Sequence, residues 1–70
     1  MLLISQTIGK QIAHYRKELQ LTQKELAAMV GMDANHLYCI EAGRKHPQIS
    51  ILARLAAGLG VPIDELSGRS

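Results

Sequence analysis

Between Thr22 and Asp33 the sequence opens a helix, closes it and prepares to open another. Thr22 followed three residues later by Glu25 is a capping box, in which hydroxyl and carboxylate satisfy amides left unbonded at a helix start. Leu26, Met29 and Val30 are expected on the buried side of that helix. Gly31 stops it, because glycine takes the left-handed helix-ending conformation at little cost. Met32 and Asp33 alone then separate Gly31 from a further apolar-periodic run, and Asp33 is a good N-cap for a helix over 34–42. The two helices are joined by a very tight turn.

The flanks are helical as well. Ile8, Ile12, Tyr15 and Leu19 recur at spacings of four, three and four, which predicts a helix over 7–19 with Lys10, His14, Lys17 and Glu18 outward. Gly43 is expected to end the 34–42 helix, and Arg44-Lys45-His46-Pro47 reads as a basic loop. Ile49, Leu52, Leu55, Ala56 and Leu59 describe another helix face, broken by Gly58, Gly60 and Pro62, before one short turn over Ile63–Leu66. Phe and Trp are absent and aromatics make up 3%, so the interior must be built from Leu, Ile, Val, Met and Ala, a composition that favours packed helices over sheets.

Seventy residues predict a single domain over 1–70, with its core over 7–66, and leave no room for a deep catalytic cleft. No Ser-His-Asp, paired-carboxylate or phosphate-loop arrangement is visible, and Gly58-x-Gly60 runs into Val61-Pro62 rather than a long helix. No enzymatic activity and no cofactor are expected. Cys39 is the single cysteine, which excludes an internal disulfide and points to a reducing cytoplasm. It has no Lys or Arg within a helical turn to lower its pKa, so thiol sensing is not favoured. His36 and Cys39 are two potential metal ligands, with His14 or His46 as a third, but two do not make a site and no metal is expected. Met1-Leu2-Leu3-Ile4 falls well short of the roughly 18 apolar residues of a membrane span.

Helix, glycine-bearing tight turn, helix is a layout in which a second helix can enter the major groove of DNA. The net charge of +2 permits this without requiring it: residues 1–60 carry 7 basic and 4 acidic side chains. Faces at about 100° per residue are more informative. Over 34–42, Leu37 and Ile40 point inward, Asn35, Cys39 and Ala42 lie opposite, and His36 and Tyr38 flank that strip. An amide, a phenol, an imidazole, a thiol and a methyl can approach base edges closely, where Asn pairs with adenine and apolar atoms meet a thymine methyl. Glu41 falls beside Leu37 on the inner face, and Arg16 on the inner side of the first helix. Two lone charges aimed at one core are expected to pair, because an unpartnered buried charge costs several kcal/mol. The alternative is that both reach solvent at the rim.

Ile8-Gly9, Arg16, Leu21-Thr22-Gln23-x-Glu25-Leu26-Ala27, Val30-Gly31, Ile40-Glu41-x-Gly43-Arg44 and Pro47 closely resemble the Cro and phage-repressor (XRE) class of helix-turn-helix proteins. The likeness continues through Leu52, Leu55, Ala56, Leu59-Gly60-Val61 and Ile63-Asp64-Glu65-Leu66, and so spans residues 8–66. The resemblance implies an all-α, lambda-repressor-like five-helix bundle with the helix-turn-helix at helices 2 and 3. It also implies binding to double-stranded operator DNA, commonly as a homodimer, to regulate transcription. Position by position, Thr22 and Gln23 match the family's phosphate-holding start of the second helix, in keeping with the attraction of helix N-termini for anions. Ala34, Asn35, His36, Tyr38 and Cys39 match its base-reading positions, Arg44, Lys45 and His46 its backbone-approaching loop, and Arg16 with Glu41 its interhelical ion pair. Ala34, Cys39 and Gln48 depart from the commoner residues there, which bears on the operator sequence.

Met1, Leu2, Leu3, Ile51, Val61 and Ile63 exceed what so small a core readily encloses, which favours self-association. A two-fold dimer sets two recognition helices about 34 Å apart on a near-palindromic site. Leu59–Leu66 is the expected contact, and capping of the first and fourth helices of a monomer is the alternative use of those residues. The expected function is a homodimeric transcriptional repressor. The rival is an antitoxin-type module that masks a toxin and autoregulates its own operon.

Overall fold

The computed structural model describes residues 4–67, with side chains from Thr7 to Ser67. Among these residues the chain forms five helices and no strand: α1 (Ile4–Glu18), α2 (Gln23–Val30), α3 (Ala34–Glu41), α4 (Ile49–Leu59) and α5 (Ile63–Leu66). The punctuation around α2 is as the residue types dictate. The Thr22 hydroxyl accepts from the Glu25 amide at 3.0 Å, and Glu25 Oε1 accepts from the Thr22 amide at 2.8 Å. Gly31 has φ 70°, and the amides of Gly31 and Met32 close the end of α2 on the carbonyls of Ala28 and Ala27. Asp33 Oδ2 then accepts from the His36 amide at 3.2 Å to open α3. Replacing Thr22 with alanine is expected to cost about 1 kcal/mol in urea unfolding, the ordinary value of an N-cap; an unchanged midpoint would remove the box from the list of stabilising features.

All five helices contribute to one core, in which Ile12, Leu26, Leu37, Ile40, Leu55 and Leu66 are fully enclosed. Short α5 is moored to α1 at Glu65: the Tyr15 hydroxyl donates to Glu65 Oε1 at 2.6 Å, and Gln11 Nε2 donates to the Glu65 carbonyl at 3.0 Å. The hydrogen bond to Glu65 is the main reason that the Tyr15 phenol titrates above its ordinary value. A raised phenol contributes fully below its ordinary pKa, so this tie is intact at neutral pH and is lost only in strong alkali.

Three apolar residues expected inside are outside. Leu19 is 50% exposed because α1 closes at Glu18 and Gln20, at φ 58°, turns the chain off the stripe. Met29 is 56% exposed, and its place beside Leu26 and Val30 is taken by Ala27. Ile49, 70% exposed, lies in the first turn of α4, ahead of Ile51, which is partly buried, and Leu52, the first residue of the helix to be buried in the core. Some boundaries also shift: α1 begins at Ile4, α3 ends at Glu41 with Ala42 as its cap, and α4 runs through Gly58 to Leu59. Gly58 does not break its helix. A Cβ there would lie 2.5 Å from Val30 Cγ1, so it is the point where α4 meets α2.

Gly9 plays the corresponding part on α1. A Cβ at Gly9 would lie 2.3 Å from the Ile40 carbonyl oxygen and 2.7 Å from that of Glu41, so the backbones of α1 and α3 touch. Ile51, Val61 and Ile63, counted above as surplus, are partly buried against the core, while Met1, Leu2 and Leu3 lie outside the described residues. No helix of the described residues is long and apolar enough to cross a membrane.

Candidate nucleic-acid interface

The fold turns α3 so that Leu37 and Ile40 are sealed inward while Asn35, Tyr38 and Ala42 stand exposed and Ala34, His36 and Cys39 are partly so. Among the described residues, the side chains of Asn35, His36 and Cys39 form no hydrogen bond, and that of Tyr38 is engaged only by Arg44. The Arg44 guanidinium carbon lies 5.9 Å from the Tyr38 ring centroid, within cation–π range. The amides of Arg44 and Lys45 both donate to the Cys39 carbonyl, at 2.9 and 3.3 Å. The exposed run Arg44, Lys45 and His46 is thereby folded against the C-terminal end of α3.

Thr22 and Gln23 sit at the start of α2, Thr22 exposed and Gln23 partly so. The Thr22 hydroxyl accepts from Glu25, which leaves its own O–H to be donated outward. The interface thus has three parts: a helix start rich in donors, a strip of small mixed groups on α3, and a basic loop beyond it.

Beneath the strip lies a buried charge pair. Arg16 Nε donates to Glu41 Oε2 at 2.7 Å and Nη2 to Oε1 at 2.9 Å, with side chains only 10% and 7% exposed. Arg16 Nη1 also donates to the Leu21 carbonyl at 2.7 Å, so one guanidinium joins α1, the approach to α2 and the end of α3. Its pKa is raised, first by the hydrogen bond to Glu41, and desolvation opposes the rise without cancelling it. Its contribution is complete below the ordinary arginine value, so the guanidinium stays charged throughout the working pH range.

Two further ties were not visible in the sequence. Gln23 Nε2 donates to Glu41 Oε1 at 3.0 Å, across 18 residues of chain. Arg54, on α4, donates through Nε to the Val30 carbonyl at 3.1 Å and through Nη2 to that of Gly31 at 2.7 Å. It thus places a cation on the negative end of α2 and fixes the turn. No spacing rule connects residues so far apart; the only signal was a cation within the apolar-periodic run of α4. Among the described residues no group of three His, Cys, Asp or Glu side chains could hold a metal ion.

Comparison with known proteins agrees with this geometry. A family model described as "Helix-turn-helix" matches residues 12–66. The chain belongs to the helix-turn-helix family. Its relatives in that family include phage repressors, as the likeness to the Cro and repressor class implies. The immunity repressor protein of Bacillus phage phi105 is 36% identical over 62 residues, 89% of this chain and 43% of the repressor. Multiprotein-bridging factor 1 of Candida albicans is 44% identical over 57 residues, 81% of this chain and 38% of that protein. This chain therefore spans about two fifths of the length of either. An uncharacterized helix-turn-helix-type transcriptional regulator of Sinorhizobium fredii, y4dJ, is 39% identical over 84% of this chain and 77% of its own length. Among solved structures, a hypothetical transcription factor from Neisseria superposes with a TM-score of 0.89 at 25% identity, over 93% of this chain and 75% of the other. The y4dJ and Neisseria proteins are named as a transcriptional regulator and a transcription factor, and none of these relatives is named as an enzyme.

Proposed function

We propose that the chain, as one unit, is a sequence-specific DNA-binding regulator that represses transcription as a homodimer on a near-palindromic operator in the cytoplasm. The observation that carries this reading is the outer strip of α3. Among the described residues, the side chains of Asn35, His36 and Cys39 form no hydrogen bond, Tyr38 is engaged by Arg44 alone, and the strip is flanked by donors at the start of α2 and a basic loop beyond its own end. Ala34, Asn35, His36, Tyr38 and Cys39 face the base edges in this reading. Thr22, Gln23, Arg44, Lys45 and His46 hold phosphates. Affinity comes from counterions released by the cations and selectivity from the strip. Repression accords with the name of the phi105 relative.

Size favours two copies. The Cα extents are 32 × 22 × 22 Å, no longer than one DNA turn of roughly 34 Å, so one copy offers one recognition helix to one groove. Val61 and Ile63, on the expected Leu59–Leu66 contact, are only partly buried against the core, which leaves part of each to meet a partner.

Selection of bound sequences from a random DNA pool tests the reading, with recovery of a two-fold motif as the expected result and no enrichment as the defeating one. On the selected operator, Asn35→Ala should lose about 1–3 kcal/mol of discrimination at one base pair. Arg44→Ala should instead weaken operator and random DNA alike and shallow the salt slope by about one. Mobility-shift titrations at several salt concentrations separate the two; equal losses of Asn35→Ala on both DNAs would remove its base-reading role.

A further inference from the structure

Gln23 is the first residue of α2 and Glu41 the last of α3, yet their side chains meet inside the interface. Glu41 Oε1 receives both Arg16 Nη2, at 2.9 Å, and Gln23 Nε2, at 3.0 Å. The ion pair is complete with the two bonds from Arg16, so the bond from Gln23 is additional to it. Its effect falls on the amide. A carboxylate only accepts, so it dictates that the Gln23 nitrogen, not the oxygen, is turned toward it. One of the two amide protons is then used, and the second remains at a helix start that attracts anions. An amide turned the other way would set its oxygen against the carboxylate, acceptor against acceptor. Arg16 meanwhile balances the charge of Glu41, so the carboxylate orients the amide without driving a phosphate away.

We propose that Glu41 is a positioning residue for the DNA backbone: it holds Gln23 nitrogen-first so that the second amide proton meets a phosphate. The phosphate anchor on α2 and the C-terminal end of α3 are thereby set by one carboxylate. This rests on the DNA-binding reading above and adds to it how the Gln23 contact is prepared before DNA arrives.

The test is a cycle of two substitutions titrated against the selected operator. Glu41→Gln keeps the size of the side chain but can donate as well as accept, so the Gln23 amide is no longer forced one way; Gln23→Met removes the amide. Glu41→Gln is expected to weaken binding about tenfold in the native background, as for a hydrogen bond to a charged group. In the Gln23→Met background, where only the weakened pair with Arg16 is felt, the loss should be several-fold smaller than in the native background. Losses that multiply in the double variant overturn the proposal, because a purely structural Glu41 acts whether or not the amide is there.

If Glu41→Gln does not fold, the native chain decides. Nuclear magnetic resonance of the unbound protein should show the Gln23 side chain motionally restricted, with one amide proton displaced by the Glu41 carboxylate and the other shifting on adding operator. A Gln23 side chain as mobile as that of exposed Gln48, or two amide signals unmoved by operator, overturns the proposal. Should the native chain retain no DNA from the pool, the DNA reading falls and takes this inference with it. Retention of DNA with multiplying losses removes the inference alone.

Discussion

Replacing Gly9 with alanine is expected to lower the melting temperature by roughly 10–20 °C, the equivalent of about 3 kcal/mol in a chain of this size. At an exposed helix position the same change adds about 1 kcal/mol of stability, because alanine is the better helix former. The sign reverses here because the new methyl would sit 2.3 Å from the Ile40 carbonyl oxygen and 2.7 Å from that of Glu41. Neither is the mobile tip of a side chain. Relief requires α1 and α3 to separate, which stretches the 2.7 Å bond from Arg16 to Glu41 and tilts the helix that carries Asn35 and Tyr38. Thermal unfolding followed by circular dichroism measures the first effect and operator titration the second. A Gly9→Ala protein that melts with the native one would show that the two backbones are not in contact.

Arg16→Met is expected to be at least as damaging, at about 3–5 kcal/mol, because it strands a carboxylate whose side chain is only 7% exposed. The total stability of a domain this small is itself only roughly 4–10 kcal/mol. The Leu21 carbonyl loses its donor at the same time, and a single N–H from Gln23 remains to Glu41. The companion variant carries Met at both 16 and 41. Stability should return to within about 1–2 kcal/mol of the native chain, because the stranded charge is gone and methionine fills irregular space. Urea titrations of the two single variants and the double variant measure the coupling. If Arg16→Met alone is as stable as the native chain, the pair is not buried in solution.

The helix boundaries at the centre of the chain were legible because they are written in local chemistry. Thr22, Glu25, Gly31 and Asp33 each act on amides or carbonyls within a few residues of themselves, and the structure uses them so. Burial was legible where the stripe was long and dense, as at Ile8, Ile12, Leu52 and Leu55. It failed at Met29 because α2 has eight residues, too few for periodicity to decide between a large apolar side chain and a small one. Ala27, the small one, is the residue that meets the core. Gly58 reads as a breaker because glycine usually is one; Val30, 28 positions away, gives the actual reason for it. Gly9 had the same signature, a poor helix former within a strongly periodic run, and that is the pattern by which such contacts can be sought. The bonds of Gln23 to Glu41 and of Arg54 to Val30 join residues 18 and 24 positions apart, so they exist only once the helices have crossed.

Each half of the paired helices is braced by one glycine and one arginine on an outer helix: Gly9 and Arg16 for α3, Gly58 and Arg54 for α2. None of those four stands among the groups that face outward from α3. The chain therefore keeps its address apart from its architecture. Under the base-reading roles proposed for residues 35, 36, 38 and 39, exchanging them would rewrite the message without loosening a brace, so a lineage built on this plan could drift from one target to another while its framework stays put.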